Sequence, residues 1–166
     1  MRIKKALRLF LALGICALTA SCYKEMDPFT GSIGVRANIN GEKFICITAE
    51  DRTPYAIMEG DTFSMEEKLA GTETWERIMN KQDRKSLILS INLQGETMLG
   101  TNTDYTIGTG NNTASLRQYS GDQDIIPLKG WIRFLTIGSK VEARFELESV
   151  TGDYKVRHGF CRLQRR

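Results

Sequence analysis

The sequence contains one histidine, His158. Any Ser-His-Asp or Cys-His site has to use it, and no Gly-x-Ser-x-Gly turn presents a serine nucleophile. Cys161 lies three residues further along. On a strand that odd separation sends the two side chains to opposite faces, unless a bulge at Gly159 restores the match. A histidine on an inward face is ordinarily a satisfied core residue, and that is the expectation for His158. Carboxylates are the other acid-base candidates, and Glu50-Asp51 and Asp122-x-Asp124 are the most noticeable pairs. A glycosidase needs two carboxyl groups about 5 to 10 Å apart across a cleft, which sequence spacing does not reveal. Asp122-Gln-Asp124 follows Ser120-Gly121 in a turn but lacks the glycine and distal glutamate of a calcium loop. Both pairs read as solvated turn acids. With no Cys-x-x-Cys pair beside the single histidine, no metal or other cofactor is expected.

Binding residues are sought in a different kind of segment. Gly108 to Thr113 superficially suggests a phosphate loop, but no helix follows to supply an N-terminus for an anion. From Gly100 to Thr113, Gly, Asn and Thr fill 11 of 14 positions, the composition of a loop with one short strand, Tyr105 to Ile107, inside it. In antiparallel β-domains the strands fix a scaffold and end loops are free to carry recognition. Asn102, Asp104, Tyr105, Asn111 and Asn112 are therefore the candidate binding residues. The alternative is a connection that touches nothing. Trp75, Trp131, Tyr105, Tyr119 and Tyr154 offer stacking faces for a sugar, although two tryptophans in a domain of this size more often belong to its core. Arg162, Arg165 and Arg166 read as a frayed basic end, with contact to anionic headgroups as the alternative.

The elements that would position these residues are mostly strands. Val35, Ala37 and Ile39 alternate with polar residues, and Asn40-Gly41 precedes Phe44 to Ile47, a hairpin signal because both turn positions need positive φ. Leu87 to Leu93, Ala114 to Tyr119, Trp131 to Ile137, Lys140 to Glu148 and Tyr154 to Leu163 repeat the two-residue period between glycine-containing turns. In Lys140 to Glu148 the alternation is cleanest, with Val141, Ala143, Phe145 and Leu147 inward and the charged residues towards water. Between residues 64 and 80 one or two short helices are expected, because Ser64-Met-Glu-Glu67 has the capping-box pattern and Gly71 could end a helix. About eight short strands without strand-helix alternation predict a mainly antiparallel β-sandwich or closed β-barrel. No repeat or second domain is evident.

Charge and cysteine placement locate the domain. The chain of 166 residues carries a net charge of +3, but Arg2, Lys4, Lys5 and Arg8 stand in the first 21 residues without an acid, leaving 19 basic against 20 acidic residues beyond them. No nucleic-acid partner is implied. The positive start, the uncharged run from Leu9 to Leu18 and the small residues before Cys22 are the parts of a secretory signal, too short for a membrane span of about 20 residues. Ala20-Ser21-Cys22 resembles the lipobox of bacterial lipoproteins, with Thr19 where the strict pattern has an aliphatic residue. That resemblance implies cleavage after residue 21 and a lipid on Cys22, whose acyl chains contribute about 0.8 kcal/mol per buried CH₂ to anchoring. Residues 22–32 then form a tether and residues 33–166 a single domain.

With Cys16 removed and Cys22 acylated, Cys46 and Cys161 remain. In an exported protein such a pair suggests a disulfide, with two free thiols as the alternative. If Ile45 and Ile47 face inward on one strand, and Val156, His158 and Phe160 on the other, both cysteines point outward and can meet across neighbouring strands. Pairing would set the first hairpin beside the last strand and favour closure.

The short acidic tether, Asn40-Gly-Glu-Lys-Phe44, Gly130-Trp-Ile132, Ala143-Arg-Phe-Glu-Leu147 and the closing Gly152-x-Tyr-x-Val-x-x-Gly-Phe160 together resemble the small β-rich lipoproteins of gut Bacteroidota. The resemblance implies fold and location and brings no activity. The expectation is a lipid-anchored protein of the outer membrane, on its periplasmic or its surface side, acting as a binding or accessory module for a glycan, small ligand or protein partner. The alternative is a lipid-anchored hydrolase that uses carboxylates, such as a glycosidase.

Overall fold

A computed structural model describes residues 33–46, 53–71, 86–118 and 124–166. Ten strands follow one another along the chain: β1 (Gly34–Ile39), β2 (Glu42–Cys46), β3 (Tyr55–Glu59), β4 (Thr62–Gly71), β5 (Ser86–Gln94), β6 (Asp104–Ile107), β7 (Thr113–Gln118), β8 (Ile126–Ile137), β9 (Lys140–Ser149) and β10 (Lys155–Arg165). Eight of them close a barrel in the order β1-β2-β4-β5-β7-β8-β9-β10, every neighbour antiparallel and β10 returning to β1. Closure removes the unpaired edges that an open sheet would expose. The two remaining strands fill gaps. β3 hairpins onto β4 and runs parallel to the end of β10, and β6 takes the stretch of β8 from Gly130 to Arg133 that β7 leaves unpaired.

The alternation read from the sequence supplies the interior. Val35, Ala37 and Ile39 of β1, Leu89, Ile91 and Leu93 of β5, and Val141, Ala143, Phe145 and Leu147 of β9 are all buried. Phe63 and Phe134 meet edge to face at 5.0 Å between centroids, and these aromatic rings with the surrounding aliphatic side chains fill the barrel as one continuous core. Asn40 and Gly41 adopt φ of 53° and 86°, the paired positive values of the expected hairpin turn.

Two expectations fail for tertiary reasons. Residues 64–71 belong to β4 and not to a helix; the rest of the segment expected to be helical, 72–80, lies outside the described residues. Phe63, Met65, Glu67 and Leu69 follow a two-residue period, and β4 pairs with β5 from Thr62 to Ala70. That ladder outweighs the local capping-box pattern, which depends on a helix having formed.

The second failure is one of phase. β10 pairs with β9 through Val156 opposite Leu147 and Gly159 opposite Phe145, so β10 holds one extra residue. His158 lies in this bulge with φ of 52° and is exposed, not a core residue. Beyond the bulge the faces are exchanged, and Cys161 and Leu163 point inward. Gly159 makes room for the Phe145 ring, against which a Cβ would collide.

Candidate functional site

With apolar side chains occupying the interior, the outer face of the wall is where a hollow among the described residues meets charged and aromatic side chains. A hollow of about 490 Å³ lies over β8 and β9 beside the β6–β7 turn and is lined by Thr106, Thr109, Lys129, Trp131, Glu146, Glu148 and Arg157, among others. Gly130 shapes its floor: at φ of 151° its position would drive a Cβ into the Glu146 carbonyl and to 2.9 Å from the Leu147 Cα. Only glycine lets β8 and β9 approach this closely. Gly108, at φ of 91°, brings the β6–β7 turn to within contact of the Lys129 side chain and raises one wall. Trp131 alternates with the buried Ile132 and therefore faces out into the hollow, contrary to the expectation that it is core.

Charged side chains line this outer face in ordered pairs. The Lys129 ammonium lies 3.7 Å from Glu148, and Arg157 reaches Glu148 at 3.4 Å and Glu146 at 3.8 Å. Arg133 forks onto Asp104 with hydrogen bonds of 2.6 and 2.7 Å, and these bonds hold the Asp104 carboxyl below its usual range. The Arg133 guanidinium also lies 6.0 Å from the Trp131 ring. Further along, Arg162 donates to Glu142 at 2.7 Å, and Arg36 and Arg162 stand over the Phe160 ring at 5.5 and 5.8 Å. Phe160 is outward-facing yet only 8% exposed. Glu146 and Glu148 are thus the carboxylates that share a cleft, and both are already engaged by cations. Among the described residues no group of three or more His, Cys, Asp or Glu could hold a metal ion.

The loop residues proposed from sequence are occupied with holding the loop itself. The Tyr105 hydroxyl accepts from the Gly100 amide at 2.6 Å, and its ring packs against Phe134 at 5.7 Å. Asn112 accepts from the Gln94 amide and donates to the Thr106 carbonyl, at 2.8 and 3.0 Å. Asn111 donates to the Gln94 side chain at 2.9 Å, and Asn102 takes φ of 60° while its amide donates to Phe134. Asp104 alone reaches the outer face, through Arg133. These side chains fix the connections around β6 and so position the hollow's wall.

Cys46 and Cys161 are not joined by a disulfide, and both face inward and do not form an outward pair. β1 separates them: Cys161 lies opposite Val35, and the β1–β2 register, with Arg36 opposite Ile45, continues to set Cys46 on the other side of Val35. Two strand spacings amount to about 10 Å, beyond the roughly 4.4 to 6.8 Å between Cα atoms that a disulfide spans. Even so, the first and last strands are neighbours as expected. Burial pushes the Cys161 thiol up to about 12, with Glu142 and Glu67 adding in the same direction. Glu67 was invisible as a buried group in the sequence. It stands 6% exposed between Met65 and Leu69, accepting from the Tyr55 amide at 3.1 Å and from the Cys46 thiol at 3.7 Å. This carboxylate ties β2 and the start of β3 to β4.

Cys22, Glu50, Asp51, Asp122, Trp75 and Tyr119 lie outside the described residues. The C-terminus is not frayed: Arg165 donates to the Met58 carbonyl at 3.1 Å, and the Arg166 guanidinium stacks 4.2 Å from the Tyr55 ring. Comparison with protein-family models, with curated proteins and with solved structures finds no match.

Proposed function

We propose that this protein is a lipid-anchored binding or accessory module of the outer membrane, held by acyl chains on Cys22, and that it binds its ligand on the outer wall of the barrel. One observation carries the choice of surface: among the described residues one hydrophobic cluster occupies the barrel interior, whereas the hollow over β8 and β9 is open and presents an indole among paired charges. Loose barrels enclose small ligands; one whose described interior is occupied by apolar side chains presents its exterior to them. Trp131 supplies an apolar face of the kind on which sugar rings stack, and Lys129, Glu146, Glu148 and Arg157 supply donors and acceptors around it.

A glycan and metabolite array, read with the parent chain and with Trp131→Ala, tests the assignment. The parent is expected to bind and the variant to lose at least tenfold in affinity, with a fall in melting temperature smaller than that of a core substitution such as Phe145→Ala, because Trp131 is half-buried and outside the core cluster. Turnover of a ligand that is abolished by Glu146→Gln or Glu148→Gln would instead establish a hydrolase. Metabolic acyl labelling, lost in Cys22→Ala, tests the anchor.

A further inference from the structure

Five of the eight arginines among the described residues, Arg36, Arg133, Arg144, Arg157 and Arg162, share the outer face of β1, β10, β9 and β8. One rung of the ladder concentrates them. Arg36 lies opposite Phe160, Phe160 opposite Arg144, and Arg144 opposite Arg133. Like charges directly opposite one another on neighbouring strands are destabilising, so the fold gains nothing from the Arg133–Arg144 juxtaposition. Arg133 is answered by Asp104. Arg144 is exposed and forms no ion pair among the described residues, although Glu142 and Glu146 flank it on its own strand; those two are taken by Arg162 and Arg157.

Arg144 also stands beside the hollow. Trp131 is opposite Glu146, so Arg144 is its diagonal neighbour, about 7 to 8 Å away and within reach of a long side chain. An indole and an unengaged guanidinium at this spacing match a ring with a carboxylate on its rim. The planar fork of arginine accepts a carboxylate through two parallel hydrogen bonds, as Arg133 already does with Asp104.

We infer that the outer wall recognises an acidic saccharide, with Trp131 stacking on the pyranose ring of a hexuronic acid and Arg144 binding its carboxylate. This rests on the binding reading above and names its ligand class. Arg144 is then retained at a cost to stability, the usual relation between a binding residue and its scaffold.

Calorimetric titration of the full chain with oligogalacturonate, and with a neutral oligosaccharide of equal length, tests the inference. The acidic ligand is expected to bind at least tenfold more tightly, with the difference shrinking as salt is raised. Arg144→Gln should lose that preference, Arg144→Lys should keep part of it, and Trp131→Ala should weaken both ligands. The melting temperature of Arg144→Gln should equal or exceed the parent's, a result that separates a binding role from a structural one. Equal affinity for neutral and acidic ligands, or full acid preference in Arg144→Gln, overturns the inference while leaving the binding reading intact. Preference for sulfated saccharides, or capture by phosphatidylglycerol vesicles without saccharide binding, overturns it in favour of another anion. Binding to none of these probes overturns the inference, while the glycan and metabolite array decides the binding reading by itself.

Discussion

The inside and the outside of the β8–β9–β10 wall are made by the same strands and obey different rules. Inward, Ile132, Phe134, Ala143, Phe145, Leu147, Cys161 and Leu163 are buried and interlock with the opposite side of the barrel. Outward, Arg133 and Arg157 are in exposed ion pairs, Trp131 faces the hollow, and the register sets Arg144 opposite Arg133 with no ion pair of its own among the described residues. Burial of apolar area dominates stability, whereas exposed ion pairs contribute little. Residues on the inner side are therefore under packing constraint, and those on the outer side are free to be selected for contact with something else. The difference supports the proposal that a ligand is met on the wall's exterior.

Substitutions that separate the two sides sharpen this comparison. The largest effect is expected for Phe145→Ala, which empties the space under Gly159 and should cost about 3 to 5 kcal/mol in a denaturant melt. Ligand affinity of the fraction that remains folded should be unchanged; a loss of affinity in that fraction would mean that the inner and outer faces are coupled.

Gly130→Ala acts at the boundary between the sides. Its new methyl group meets β9 backbone, so about 1 to 3 kcal/mol of stability should be lost and the floor of the hollow displaced. Both melting temperature and saccharide affinity should fall together. A variant that retains either one in full would show that the close approach of β8 and β9 does not shape the site.

The smallest effect is electrostatic and internal. The Cys161 thiol ionises near its ordinary value of 9.0 when the chain is unfolded and at about 12 when buried. Above pH 9 the unfolded chain releases this proton first, so the thiol's share of stability is complete below that pH and is lost as pH rises towards about 12. Cys161→Ala should lose stability less steeply than the parent over this window, measured as the slope of melting temperature against pH. Equal slopes would place Cys161 in contact with water and weaken the view of a sealed interior.

Much of the scaffold was legible because strand alternation is a local property. The Asn40-Gly41 turn, the inward set of β9 and the short β6 all follow from residues that are neighbours in sequence. β4 was misread because its capping-box residues carry a helix signal that only the β5 ladder overrides. The orientation of Cys161 was misread because one additional residue in β10 reverses every side chain beyond it, and alternation counted from Tyr154 carries no record of a bulge; that of Cys46 was misread because β2 turns Phe44 and Cys46 inward in place of Ile45, a phase set by its pairing with β1 and β4. The candidate site was legible only in part. The outward charges of β9 were visible as a set, but their partners on β8 and β10 were not.

By itself the sequence determined which residues seek burial, where the tight turns fall and that the domain is built of short antiparallel strands, since each of these depends on side-chain chemistry over a few residues. Tertiary structure alone decided that the sheet closes, that Glu67 and both cysteines turn inward, and that Trp131 and Arg144 come to share one face. Register between strands that are distant in the chain sets those outcomes, and register is fixed by the simultaneous packing of all the strands around one core.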